Sequence, residues 1–161
     1  MRKTLVVPTV VVAVLIAGCA GPRGASRNIP QLASDMSEIS RSYDYYNAEL
    51  KDLNLPDPDS MLSMLAGSRT ERLKRYYSKE MAGKRDRCHS DTACRKSDIM
   101  GLRAQTLGSY SVVSMHQRDE NLVTLMVVGT NTRGAPRRVI VDWLFEDGRW
   151  RINDVVSGPP G

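Results

Sequence analysis

Residues 143–156 carry the sequence WLFEDGRWRINDVV, and this stretch decides the fold. Asp147-Gly148 is the signal of a two-residue type I′ turn, because both of its central positions need a positive φ. The turn joins two strands and predicts these facing pairs: Phe145 with Trp150, Trp143 with Ile152, Val141 with Asp154, and Val139 with Val156. One face of the hairpin is therefore apolar and aromatic, and the other is charged.

From residue 110 onward the chain changes from a helical to a strand-like pattern. Runs rich in β-branched and aromatic residues are expected to form strands at 110–117, 122–130, 137–146 and 149–156. Polar segments at 118–121 and 131–134 and the Asp147-Gly148 turn separate them. The sequence therefore predicts four antiparallel strands in a meander.

The first half has the helical period instead. Apolar residues spaced alternately three and four apart form a seam, namely Ile29, Leu32, Met36, Ile39, Tyr43, Tyr46, Leu50 and Leu53. Asn54-Leu55-Pro56 ends the predicted helix. The seam suits either a coiled coil with another chain or a helix lying across its own sheet, and the second use is favoured in a single small domain. The tyrosine hydroxyls are expected at the seam edge, near water or a partner.

Shorter helices are predicted between the seam and the sheet. One is expected over 61–65, and a Ser68-x-x-Glu71 capping box starts another that ends at Gly83. A further helical turn is predicted over 92–100. The fold class is therefore α+β, with N-terminal helices packed on a curved, cone-like, four-stranded antiparallel sheet in a single domain, 29–161.

The N-terminus has the pattern of an export signal. Arg2 and Lys3 precede an apolar run of about 13 residues, too short to span a bilayer. The sequence LIAGC at 15–19 then resembles the lipobox of bacterial lipoproteins. The resemblance implies cleavage after residue 18, a diacylglycerol thioether on Cys19, and a tether over 19–28. Ala20 after that cysteine implies the periplasmic face of the outer membrane. The alternative to a lipoprotein signal is an ordinary secretion signal with an incidental cysteine.

Charge and compartment restrict the partners. The chain has 161 residues and a formal charge of +5, which falls to +3 when Arg2 and Lys3 leave with the signal peptide. Nucleic acid is not expected as a ligand outside the cytoplasm. The basic segments 84–87 and 95–96 are interpreted as an exposed loop, and contact with anionic headgroups or an acidic partner is the alternative.

Cysteine counting points to the same compartment. Committing Cys19 to lipid leaves the pair Cys88 and Cys94, whose spacing suits a disulfide in an exported protein. The alternative is a metal site formed by Cys88, His89 and Cys94. It lacks a fourth ligand nearby, so no metal is predicted.

Helices followed by a sheet that ends in residues 143–156 resemble the nuclear transport factor 2-like superfamily and the periplasmic toluene-tolerance lipid carriers. That resemblance implies an apolar cavity under a helix, lined here by Trp143, Phe145, Trp150 and Ile152. The alternative, which is favoured, is that these four side chains fill the core of a small domain.

Catalysis has little support in the sequence. Asp154 is the one acid/base candidate, placed by the register opposite Val141, although a carboxylate turned to water is commoner at a strand end. Nucleophile motifs and phosphate loops are absent from the sequence, so neither an enzyme nor a cofactor is predicted. The favoured function is an accessory, assembly or binding factor of a secretion or conjugation type envelope machine, with an envelope protein as its partner. The alternative is a carrier or receptor for a lipid or small apolar ligand.

Overall fold

The computed structural model describes residues 29–57 and 69–159, and it has the predicted α+β fold. The helical elements are α1 (Ile29–Asp52), a 3-10 helix (Glu71–Tyr76), α2 (Lys79–His89) and α3 (Thr92–Gln105). The strands are β1 (Leu107–Asp119), β2 (Leu122–Asn131), β3 (Pro136–Glu146) and β4 (Arg149–Gly158). They form one antiparallel sheet in the order β1-β2-β3-β4, which confirms the predicted meander. The predicted signal peptide, Cys19, the tether, the helix over 61–65 and the capping residue Ser68 lie outside the described residues.

The seam of α1 packs against the sheet of its own domain. Its five central and C-terminal members, Ile39, Tyr43, Tyr46, Leu50 and Leu53, are at most 2 % exposed and join the core cluster with residues from all four strands. The helix ends before Asn54, whose φ of 42° is left-handed. The favoured interpretation of the seam, a helix across its own sheet, is therefore correct.

One polar side chain ties α1 to the sheet. Asn47, which is 1 % exposed, donates from Nδ2 to the Leu107 carbonyl at 3.0 Å. Its Oδ1 accepts from the Leu107 N–H, also at 3.0 Å. Because a buried backbone group without a partner is costly, this pair of bonds fixes where β1 begins against the helix.

The prediction of a single helix from the Ser68 capping box to Gly83 is wrong, because the helical conformation is interrupted at Tyr77 and Ser78. Tyr77 is extended and forms an isolated bridge with Ile152, and the Ser78 N–H donates to the Ile152 carbonyl at 2.8 Å. The Ser78 hydroxyl also accepts from the Met81 N–H and so caps α2. This segment covers part of the free edge of β4.

The basic segment 84–87 is also placed differently from its prediction. It lies in α2, which continues past Gly83 to His89, and is not a loop. Arg85 is 8 % exposed and pairs with Asp98, while Lys84 pairs with Glu80. Arg85 is therefore buried in the helical layer, whereas Lys84 and Arg87 are exposed on the helix.

The hairpin register is half correct. Phe145 pairs with Trp150 and Trp143 with Ile152, as predicted. Beyond them, an irregularity between Asp142 and Trp143 leaves Asn153 as an extra residue in β4, so Asp142 pairs with Asp154. The predicted pairs of Val141 with Asp154 and Val139 with Val156 are therefore wrong. Val141 pairs with Val155, and Val139 pairs with Ser157.

Candidate functional site

The four residues considered for a ligand cavity lie in the core. Trp143 and Ile152 are fully buried and Trp150 is 4 % exposed, while Phe145 is partly buried against the same cluster. The Phe145 and Trp150 ring centroids are 5.3 Å apart. The two surface recesses described below are lined by other residues.

A buried polar network crosses the helical layer. The Tyr46 hydroxyl donates to Gln105 Oε1 at 2.8 Å and lies 3.4 Å from the Tyr77 hydroxyl. The Arg85 guanidinium lies 4.7 Å from the Tyr77 ring centroid. Burial raises the pKa of Tyr46 and of Tyr77 above the ordinary phenol value, so both stay protonated near neutrality. The network holds helices together and supplies no ready base.

The expectation that the hydroxyls of Tyr43 and Tyr46 lie near water or a partner is correct for Tyr46 and wrong for Tyr43. The Tyr46 hydroxyl contacts Gln105 and Tyr77. The Tyr43 hydroxyl is buried and has no hydrogen-bond partner within residues 29–57 and 69–159. Burial also raises the pKa of Tyr43. Its ring packs edge-on against Tyr110 with centroids 5.3 Å apart, so ring packing rather than hydrogen bonding holds this side chain.

Cys88 and Cys94 are joined by a disulfide, with Sγ atoms 2.01 Å and Cα atoms 5.1 Å apart. It connects the end of α2 to the start of α3, where Asp91 caps α3 by accepting from the Cys94 N–H at 2.8 Å. The sulfur atoms are bonded to each other, which leaves no thiolate pair for a metal site with His89.

A different group of possible metal ligands surrounds His89. Ligand atoms of Glu71, Asp86 and His89 lie within 4.8 Å of one another. Lys74 Nζ, however, is 2.7 Å from Glu71 Oε2 and 2.5 Å from Asp86 Oδ1. The ammonium group already offsets both carboxylates, so the group is accounted for as a surface ion-pair network.

The acid/base candidate is on the surface. Because of the extra residue at Asn153, Asp154 does not face Val141, and it is exposed. It lies on the rim of a recess of about 340 Å³ beside the disulfide, together with Lys84 and Asp98. Among the described residues, no hydrogen bond or ion pair joins this exposed carboxylate to another side chain.

The most distinctive exposed feature is the face of the sheet that the described helices leave uncovered, here called the outer face. In β2 and β3 the buried residues alternate with half-exposed ones that point to this face. Met126, Ile140 and Val156 are paired directly across three strands and are here called the apolar row. Val156 is 58 % exposed. An apolar row on an open sheet face is unusual for a surface that meets only water.

Charged side chains flank the apolar row. Arg138 precedes Ile140 by two residues on the same face and, among the described residues, has no ion-pair partner. Asp142 follows Ile140 by two residues, accepts from the Thr124 hydroxyl at 2.6 Å, and lies 3.8 Å from Arg118 Nη1. The outer face therefore presents an apolar strip with Arg138 on one side, and no carboxylate of the described residues pairs with that cation.

The sequence did not single out this face. The run LVTLMVVGT at 122–130 is almost continuously apolar, so its period of two is weak and both faces look alike. Ile140 and Arg138 become conspicuous only when the pairing places them beside Met126 and Val128. In the predicted register Val156 faces Val139 on the apolar face of the hairpin, so the sequence did not place it on the outer face, where it pairs with Ile140.

No protein-family model matches this chain, and neither does any curated protein in a search of those sequences. Within the part of the chain that the structure describes, no helix combines the length and apolar content needed to cross a membrane. α1 has 24 residues, but polar and charged residues fill the positions between its seam residues.

Proposed function

We propose that this protein is a lipid-anchored factor of the bacterial cell envelope, held through Cys19 at the periplasmic face of the outer membrane. Its role is that of an accessory or assembly factor in a secretion or conjugation type machine. The lipobox-like sequence at 15–19 supports the anchor. Two acyl chains hold a protein on a membrane far more stably than one, so such a factor works in place.

The observation that carries the assembly role is the outer face of the sheet. The α1 seam is used inside the domain, so it is not available for a coiled coil with a partner. The apolar row is exposed instead, and burying it against another protein removes apolar area from water at about 25 cal/mol per Å². The same face lacks a carboxylate for Arg138 within the described residues.

These features define the chemistry of the partner. We expect an envelope protein with an apolar surface that packs on Met126, Ile140 and Val156. Asp142 already accepts a hydrogen bond from the Thr124 hydroxyl and lies near Arg118. We therefore expect the border of the partner surface to supply a carboxylate opposite Arg138. Such charge pairing sets orientation and partner choice more than affinity.

The carrier alternative receives less support. A ligand cavity requires open space among Trp143, Phe145, Trp150 and Ile152. Three of these side chains are at most 4 % exposed and lie in the core cluster, where they contribute to stability by burial.

Site-specific photo-crosslinking of the full chain in cells tests the assembly role. A photoreactive amino acid in place of Ile140 should give a crosslink to one defined envelope protein. The crosslink should weaken when Arg138→Asp is added. The same probe in place of Tyr45, which is 61 % exposed on α1 and away from the strands, is the control.

Two results would contradict this assignment. A product of twice the chain mass would give the outer face to a second copy. Equal crosslinking from positions 140 and 45, unaffected by Arg138→Asp, would show that the apolar row is not a specific surface.

A further inference from the structure

A second surface feature, here called the basic recess, lies at one end of the domain. It is formed where the C-terminal ends of α1 and α3 meet the turn between β2 and β3, and its volume is about 700 Å³. The cationic side chains of its lining are Lys51, Arg103, Arg133 and Arg137. Asp57 is the one carboxylate that the structure places in the lining, so the formal charge of the described lining is +3. The volume falls within the range of small-molecule sites.

Two of these cations have roles in the fold. Lys51 Nζ donates to the Gly108 carbonyl at 2.9 Å. Arg103 Nη1 donates to the Pro56 carbonyl at 3.2 Å and lies 3.8 Å from Asp57 Oδ2. Both residues lie in last helical turns, where a cation offsets the negative end of the helix dipole. They would be present without any ligand, so they do not by themselves indicate one.

Arg133 has no such role. The turn that carries it is built by Asn131, whose Oδ1 accepts from the N–H groups of Arg133 at 3.0 Å and Ala135 at 2.9 Å. Gly134 completes the turn with a φ of 81°, which a residue with a side chain rarely adopts. The turn thus holds Arg133 at the recess. Its side chain is exposed, and no carboxylate of residues 29–57 or 69–159 pairs with it.

Arg137 is the most unusual member. It pairs with Gly129 in the sheet and lies on the same side of β3 as the buried Val139 and Val141. Its Nε is buried and has no acceptor among the described residues, and no described carboxylate pairs with its guanidinium. A partly buried cation without a counterion is unfavourable, and an anion in the recess would offset that charge.

We propose that the basic recess binds a phosphate-bearing anion, with Arg133 and Arg137 as its main contacts. Guanidinium groups match phosphate oxygens in two parallel hydrogen bonds, and Lys51 and Arg103 add positive potential. A phosphate monoester carries a charge of about −1.5 to −2 at neutral pH, which fits a lining of +3 better than one carboxylate does. The ligand is either a soluble phosphate compound or a phospholipid headgroup. A headgroup diester carries a charge of about −1 rather than about −2, but both present anionic phosphate oxygens that guanidinium groups bind.

Calorimetric titration of the full chain in nonionic detergent tests the site with three probes. Inorganic phosphate, short-chain phosphatidylglycerol and acetate are compared at one ionic strength. We expect saturable binding of phosphate or phosphatidylglycerol, with acetate weaker. Tighter binding of phosphatidylglycerol than of phosphate would identify a headgroup site, and the reverse order would identify a soluble ligand.

The double variant Arg133→Gln/Arg137→Gln should weaken that binding by roughly tenfold to a hundredfold, the usual effect of losing charge-assisted hydrogen bonds. The control Arg41→Gln/Arg149→Gln removes the same charge from exposed positions outside the recess and should leave the affinity within about twofold. Arg133→Gln alone, in an exposed turn, keeps the test valid if the double variant is unfolded. Equal affinities of both double variants, acetate binding as tight as phosphate, or no saturable binding of either phosphate probe would overturn the proposal.

Discussion

Replacing Asn47 by Ala tests how the helical layer is joined to the sheet. The change leaves the N–H and carbonyl of Leu107 without their 3.0 Å partners in a buried position. Each orphaned backbone group costs about 1–3 kcal/mol, and the better helix propensity of Ala returns about 0.6 kcal/mol. The free energy of unfolding should therefore fall by about 1.5–5 kcal/mol, a large share of the roughly 5–15 kcal/mol that stabilises a typical domain.

Urea denaturation of the full chain, followed by tryptophan fluorescence, measures this loss because Trp143 and Trp150 are buried. Asn47→Asp is the sharper variant, since it keeps the size of the side chain but replaces the donor by a carboxylate that faces the Leu107 carbonyl. Ser37→Ala, at an exposed position of the same helix, is the control and should change stability by less than about 0.5 kcal/mol. If both Asn47 variants also stay within about 0.5 kcal/mol of the wild type, the two hydrogen bonds do not join α1 to β1 as argued.

Four more outcomes are expected. Ile39→Asp buries a charge at a fully buried position and should unfold the domain, whereas native circular dichroism and an unchanged Tm would reopen the coiled-coil use of the seam. Burial raises the pKa of Tyr43, so above about pH 10 the folded state keeps a proton that the unfolded state loses, and the free energy of unfolding falls as the pH rises. Tyr43→Phe should therefore be at least as stable as the wild type at pH 7, because the hydroxyl it removes is buried without a partner among the described residues. Its urea midpoint should also fall less than that of the wild type between pH 9 and 11. An identical pH dependence in the two proteins would count against this assignment. Cys19→Ser should abolish palmitate labelling, and continued labelling would exclude the lipoprotein assignment. Mass mapping of the exported protein without reductant should find Cys88 linked to Cys94, and two free thiols would contradict the disulfide.

The parts of the fold that sequence predicted are those set by local chemistry. The Asp147-Gly148 turn fixes the first two cross-strand pairs, and both glycine and aspartate there have positive φ in the structure. The α1 seam could be predicted because its eight apolar residues are spaced alternately three and four apart. In both cases the residues that determine the structure lie within a few positions of one another, so a single sequence contains the needed information.

The predicted register of β3 and β4 is wrong beyond Trp143 and Ile152, where residues distant in the sequence determine the pairing. Oδ1 of the extra residue Asn153 accepts a hydrogen bond from the Ser78 hydroxyl at 2.9 Å, and these two positions are 75 residues apart. The same segment donates from the Ser78 N–H to Ile152. Nothing near Asn153 in the sequence marks a bulge. The break of the predicted helix at Tyr77 and the irregularity in β4 are therefore two consequences of one tertiary contact.

The basic recess was missed for a related reason. Its cations come from the ends of α1 and α3, the β2–β3 turn and the start of β3, so no window of the sequence contains more than two of them. The basic segments that the sequence did contain, at 84–87 and 95–96, lie in α2 and α3 and do not line this recess. Lys84 pairs with Glu80 and Arg85 pairs with Asp98, while Asp86 pairs with Lys74 outside the segment, and such pairing cannot be predicted from the local charge.

The position of the recess on α1 bears on the source of its ligand. α1 has 24 residues and is therefore about 36 Å long, and the recess lies at its C-terminal end. A tether over 19–28 reaches at most about 33 Å when fully extended. If Cys19 holds the lipid, the headgroups of the anchoring leaflet reach the recess when α1 lies along the membrane. With α1 upright, the recess faces the periplasm and soluble phosphate compounds. Tighter binding of phosphatidylglycerol than of phosphate would therefore be consistent with the first orientation, and the reverse order with the second.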